Sequence, residues 1–119
     1  MNEADSISAY LLALRTAFES GHATEHTYRP ALEKLFADIT KLRVHNEPKR
    51  SEHGQPDFIF VKENVPIAWA EAKDITVNLD KTEKSEQMGR YFGYANLILT
   101  NGIEFRFFKN GTEIGRAHV

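Results

Sequence analysis

Not one of the 119 residues is a cysteine. That excludes a disulfide scaffold, a thiolate metal site and a cysteine nucleophile. Long apolar runs are missing too: nothing approaches the roughly 18–20 apolar residues of a membrane span. The opening Met1-Asn2-Glu3-Ala4-Asp5 is acidic and lacks the basic-then-apolar order of a secretion signal. These absences give the expectation of a soluble, cytoplasmic protein with no membrane contact. There is no excess of positive charge, because 15 Lys and Arg stand against 17 Asp and Glu, for a net charge of −2. A free-standing DNA-binding domain is usually strongly basic, so a grip on nucleic acid must come from a local patch or from other domains. Gly-rich phosphate loops, a G-x-S-x-G elbow and an EF-hand loop are all absent. The string His22-Ala23-Thr24-Glu25-His26 spells H-x-x-E-H. That zinc motif has to lie well inside a helix, whereas Gly21 and the capping residue Thr24 mark a helix boundary, so we set it aside.

What is present is ordinary globular material. Hydrophobic residues make up 41% and charged residues 27%, with eight Phe, four Tyr and one Trp for a core. The length suits one domain spanning 1–119, and the chain reads as a fragment or truncated copy of something longer. Ile7, Tyr10, Leu11, Leu14 and Phe18 recur at helical spacing over Ser6 to Glu19. A second helix carries the stripe Tyr28, Leu32, Leu35, Phe36, Ile39 and Leu42, entered through Thr27-Tyr28-Arg29-Pro30 with the proline in its first turn. It is expected to end near Arg43, and residues 45–55 read as a loop. Phe58 to Val61 and Val65 to Ala72 read as a hairpin around Glu63-Asn64. Thr82 to Ala95 reads as one polar helix. Asn96 to Thr100 and Ile103 to Lys109 read as strands joined at Asn101-Gly102, with a further turn at Asn110-Gly111. The expected order is α-α-β-β-α-β-β, an α/β domain with a mixed central sheet flanked by helices.

The chemistry concentrates in Pro56-Asp57 and Glu71-Ala72-Lys73. Side chains alternate along a strand, so Glu71 and Lys73 share one face and Ala72 takes the other. If the two strands pair, their open ends bring Asp57 beside Glu71. Adjacent carboxylates repel unless a cation joins them. Asp57 and Glu71, with the Ala72 carbonyl, would hold Mg²⁺ and leave room for water and phosphate oxygens. Lys73 would orient the water or stabilise charge on the phosphate. The letters alone are weak, since Pro-Asp starts many turns and Glu-x-Lys often marks a solvated face. The strand-forming neighbours and the apolar Trp69, Ala70 and Ala72 speak for the site.

Gln87 and Tyr91 stand four apart, hence on one helix face. Glu33, inside the second helix, reads either as an acid reaching the metal through water or as a surface partner for a nearby cation. Lys49, Arg50 and His53 precede Asp57 and read as phosphate contacts or as a solvated cluster. Lys84 and Arg90 would extend that DNA-binding patch, offset by Glu83 and Glu86.

The Asp57, Glu71, Lys73 pattern resembles the PD-(D/E)xK phosphodiesterase fold of restriction endonucleases, and Gln87 with Tyr91 resembles the accessory motif of its RecB-like members. The segments from Thr24 to Leu32, Glu47 to Arg50, Gly54 to Phe58, Glu71 to Asp74, Ser85 to Gln87 and Asn96 to Arg106 resemble the N-terminal, Mrr-like nuclease domain of type ISP (single-polypeptide) restriction–modification enzymes. The resemblance implies a Mg²⁺-dependent DNA endonuclease, with Mn²⁺ as a substitute, in which Asp57, Glu71 and Lys73 are catalytic and Gln87 and Tyr91 assist. It implies double-stranded DNA as substrate. It also implies a longer polypeptide with a helicase-like ATPase, an adenine methyltransferase and a target-recognition domain, where ATP and S-adenosylmethionine would bind. A DNA-repair or mobile-element nuclease of the same fold, and a non-cutting DNA-binding or docking module, are the alternatives.

Overall fold

Helix α1, Glu3–Glu19, starts where the Asn2 side chain accepts a hydrogen bond from the Asp5 amide, with Glu3 and Asp5 complementing the positive end of the helix. The computed structural model describes residues 2–21, 25–46 and 55–119. His22, Ala23 and Thr24 therefore lie outside the described residues, as do Lys49, Arg50 and His53. Helix α2 runs Glu25–Thr40. Pro30 sits inside it rather than in its first turn, and the helix stops before Arg43 because Lys41 adopts a left-handed φ of 60°.

The described strands form one six-stranded sheet in the order β1-β2-β3-β4-β5-β6, from β1 Arg43–Asn46, β2 Phe58–Lys62, β3 Val65–Ala72, β4 Asn96–Thr100, β5 Glu104–Lys109 and β6 Thr112–His118. β3 and β4 run parallel and the other neighbouring pairs antiparallel, so the sheet is mixed. Two of the turns have the left-handed residues that two-residue hairpins demand: Glu63 and Asn64 at φ 50° and 67°, and Asn110 and Gly111 at φ 49° and 81°.

Three expectations need correction. Residues 43–46, read as the end of a helix and the start of a loop, form the edge strand β1 paired with β2. The single helix over Thr82 to Ala95 is two short ones, α3 Leu79–Glu83 and α4 Glu86–Tyr91. Ser85 causes the break: its side chain accepts from the Met88 amide and starts a new helix. A further strand, β6 Thr112–His118, follows the Asn110-Gly111 turn and pairs with β5, so the order is α-α-β-β-β-α-α-β-β-β.

Each sheet face carries its own core. On one, Tyr10 and Leu14 of α1 and Tyr28, Leu32, Leu35 and Phe36 of α2 pack on Phe58, Phe60, Ala70, Ala72 and Phe105. On the other, Leu79, Met88 and Tyr91 cover Leu97, Leu99 and Phe108. The parallel β3–β4 pair needs a crossover, and α3 and α4 supply it on this second face. No described helix is long and apolar enough to cross a membrane.

Candidate active site

The site grows from the register of one hairpin. Phe58 pairs with Ala70, so Asp57, one residue before β2, lies across from Glu71 near the end of β3. The backbone ties each carboxylate to the other strand: the Asp57 amide donates to Glu71 Oε1 at 3.1 Å, and the Ala72 amide donates to Asp57 Oδ2 at 2.9 Å. Both acids are only 1% exposed. Alternation then sorts the rest of β3. Ala70 and Ala72 enter the core under α1 and α2, while Glu71 and Lys73 turn toward α3 and α4.

Lys73 continues β3 alongside β4, its amide donating to the Thr100 carbonyl at 2.8 Å. Its ammonium lies 3.2 Å from Glu71 Oε2 and donates to Gln87 Oε1 at 2.8 Å. Gln87 comes from α4, so the crossover that separates β3 from β4 in the chain also brings a helix back over the end of β3. The Lys73 side chain is 26% exposed against 1% for Glu71, which makes the ammonium the accessible element of the group.

Two neighbouring residues of α2 hold this arrangement from the opposite face. The Tyr28 hydroxyl donates to the Lys73 carbonyl. Arg29 Nη2 donates to Asp57 Oδ1 at 2.5 Å, an ion pair sealed from water on both sides. Sequence reasoning placed Tyr28 in an apolar stripe and both residues at a helix entry and in a segment of the family resemblance, without assigning either to the site. A signal was there: Arg29, Leu32 and Phe36 share i, i+3, i+7 spacing, which puts an arginine on a buried helix face. A buried guanidinium requires an anionic partner.

The remaining expected residues are spread out. Among the described residues no third His, Cys, Asp or Glu joins Asp57 and Glu71 in a group that could hold a metal directly. Tyr91 is buried in the second core, its ring 6.3 Å from Tyr94. Lys84 is the exposed C-cap of α3. Arg90 lies 3.7 Å from a Glu86 that is itself 95% exposed, a weak solvent-side pair.

A second charged cluster lies on the same sheet face, two strands away, since Glu71 registers with Leu99 and Leu99 with Arg106. The Arg106 side chain is 4% exposed and meets Asp80 at 2.9 Å, Glu104 at 3.0 Å, and Glu83. Burial is the strongest single influence and works against its charge; the hydrogen bonds to Glu104, Glu83 and Asp80 together outweigh it and lift the guanidinium above its ordinary value. Arg106 thereby fastens α3 to β5.

As a donor set, Asp57 and Glu71 offer four hard oxygens near one strand end. Ionised carboxylate oxygens are acceptors with two lone pairs each. Two protein carboxylates, with the remaining positions left to water and phosphate, is the way Mg²⁺ is commonly held, so these residues fit such an ion.

No family model matches the chain, and no curated protein does. Among solved structures, it is similar to a chain of the cryo-EM structure of the DrdV–DNA complex, with a TM-score of 0.79 and 20% sequence identity over 96% of this chain and 85% of that one. At that identity the likeness shows the fold, a restriction-endonuclease-like mixed sheet flanked by helices.

Proposed function

We propose that this chain is a Mg²⁺-dependent DNA endonuclease domain, the nuclease module of a restriction–modification enzyme of the single-polypeptide kind. The observation that carries the reading is the convergence of Asp57, Glu71 and Lys73 near one strand end, with Gln87 seated on the lysine. The fold adds support, because a structural neighbour was solved in complex with DNA.

In this reading Asp57 and Glu71, with the Ala72 carbonyl, hold the ion. When bound, it supplies a more acidic water and neutralises charge building on the phosphate. The protein's own part is positional and electrostatic. Lys73, the accessible cation of the group, faces the scissile phosphate and stabilises its developing negative charge or orients the attacking water. Gln87 restrains the flexible lysine stem by accepting a hydrogen bond from its ammonium. The net charge of −2 fits a module whose hold on double-stranded DNA comes from a helicase-like ATPase, an adenine methyltransferase and a target-recognition domain elsewhere in a longer polypeptide.

The test is nicking of supercoiled plasmid by the protein at high concentration with Mg²⁺ or Mn²⁺. Nicking that disappears in Asp57→Asn, Glu71→Gln and Lys73→Met supports the proposal. If neither carboxylate substitution changes divalent-metal affinity, the metal-site reading is wrong.

A further inference from the structure

Before any metal arrives, the two acids already have cations. Glu71 Oε2 is 3.2 Å from Lys73 Nζ, and Asp57 Oδ1 is 2.5 Å from Arg29 Nη2. The four side chains sum to zero charge. The two cations differ in freedom, however. Lys73 is 26% exposed and has Gln87 as a second partner, so it can release Glu71 at little cost. The Arg29 side chain is 9% exposed, rooted in α2, and faces a carboxylate that is 0% exposed.

From this we infer that Arg29 is a resident counter-cation for Asp57. It holds the carboxylate pair in its loading geometry while no dication is present, and it sets divalent-ion affinity by competing for Asp57 Oδ1. The inference rests on Asp57 being a metal ligand, as proposed above. Without Arg29 or a metal, two buried carboxylates tied to each other's backbone would repel, and Asp57 would lose the partner that fixes its rotamer. With Arg29 in place, an incoming dication meets a neutral group instead of one with a net charge of −1, and must share or take an oxygen already bonded to a cation. A phosphodiester bound at the same time adds negative charge and favours loading. The ion is therefore held weakly by the free protein and more tightly when a DNA strand occupies the site. Arg29 is a positioning residue in this scheme, acting through Asp57 and not on the substrate.

The experiment measures Mn²⁺ binding by loss of the free-ion EPR signal, without DNA, for the wild type, Arg29→Gln, Arg29→Lys and Asp57→Asn. Arg29→Gln removes the charge but keeps a donor, and is expected to bind Mn²⁺ roughly tenfold more tightly, about 1.4 kcal/mol. Arg29→Lys, which keeps the charge, should stay close to the wild type. Unchanged or weaker binding by Arg29→Gln overturns the competition. A wild type whose Mn²⁺ binding is indifferent to Asp57→Asn overturns the metal-site reading itself, a separate result. Should Arg29→Gln fail to fold, the wild type still decides. The Arg29 Nε–Hε resonance, followed in a Mg²⁺ titration, should shift with the same midpoint as binding, and a resonance that stays put through saturation refutes the inference.

Discussion

The two acids of the proposed metal site should respond unequally when neutralised. Asp57→Asn keeps the side-chain volume and removes the charge that compensates Arg29. The guanidinium would remain with its side chain 9% exposed and its partner oxygen, 2.5 Å away, no longer anionic. Breaking a buried pair from one side costs about 3–5 kcal/mol. Relief of repulsion with Glu71 offsets part of this, which leaves a net loss of about 2–3 kcal/mol. Glu71→Gln is different. The charge it strands is Lys73, which already reaches water and Gln87, while Asp57 loses a like-charged neighbour. The expected change there lies within about 1 kcal/mol of zero, of either sign. Urea unfolding measures both, using the fluorescence of Trp69, whose ring lies 4.4 Å from Tyr94 in the second core. With a slope of roughly 1–3 kcal/mol/M for a small domain, Asp57→Asn should lower the midpoint by about 1 M or more and Glu71→Gln should barely move it. Equal midpoints for the two variants, or an Asp57→Asn protein more stable than the wild type, would refute the claim that Arg29 depends on Asp57.

Other perturbations follow from the same contacts. Arg106→Met should cost about 3–5 kcal/mol in urea unfolding, because Glu83 and Glu104 lose a buried cation, whereas Asp80→Asn should cost under about 1 kcal/mol, since Asp80 is 68% exposed. Tyr10 is buried with its hydroxyl on the Gly102 carbonyl at 2.6 Å, and burial pushes its pKa well above the usual tyrosine value. The unfolded chain therefore releases this proton first, so stability is intact below about pH 10 and falls as pH rises further, by up to about 1.4 kcal/mol per unit; the stability difference between wild type and Tyr10→Phe should shrink over that window and stay flat below it. Gly102→Ala should destabilise by about 1–3 kcal/mol, because φ is +93° and the added Cβ would sit 3.2 Å from the Tyr28 ring; calorimetry showing an unchanged midpoint would contradict this.

How much of this could be read from the sequence depended on the range of the interaction involved. β2, β3, β4 and β5 were legible because their residues are apolar, strand-forming and bounded by turn residues, and Glu63-Asn64 and Asn110-Gly111 turn as expected. β1 was not: of Arg43-Val44-His45-Asn46 only Val44 is apolar, and the strand exists because the edge of β2 accepts a partner. The split between α3 and α4 was hidden because Ser85 reads as a tolerable helix residue until its side chain is seen to cap Met88. For the site, Asp57, Glu71 and Lys73 followed from alternation plus one hairpin register, and Gln87 from its place on the next helix. Arg29 and Tyr28 act across 28 and 45 residues, and no local pattern states a pairing over such distances.

The placement of the group follows from the one parallel pair in the sheet. In α/β sheets, ligand crevices form outside the carboxyl ends of parallel strands. β3 and β4 end together here, with Ala72 paired to Thr100 and the Lys73 amide on the Thr100 carbonyl. β2 is antiparallel to β3, so the start of β2, and with it Asp57, arrives at the same edge. Had β2 run parallel to β3, Asp57 would lie at the far end of the sheet, roughly 3.3 Å per residue along the strand from Glu71. The crossover must pass over one face, and it passes over the face that Glu71 and Lys73 occupy, which is why Gln87 meets the lysine. On the other face α2 reaches Lys73 and Asp57 through consecutive residues, Tyr28 and Arg29. A shift of α2 along the sheet would therefore disturb both strands of the site at once, and the geometry of the acids and the lysine is set as much by that helix as by the strands that carry them.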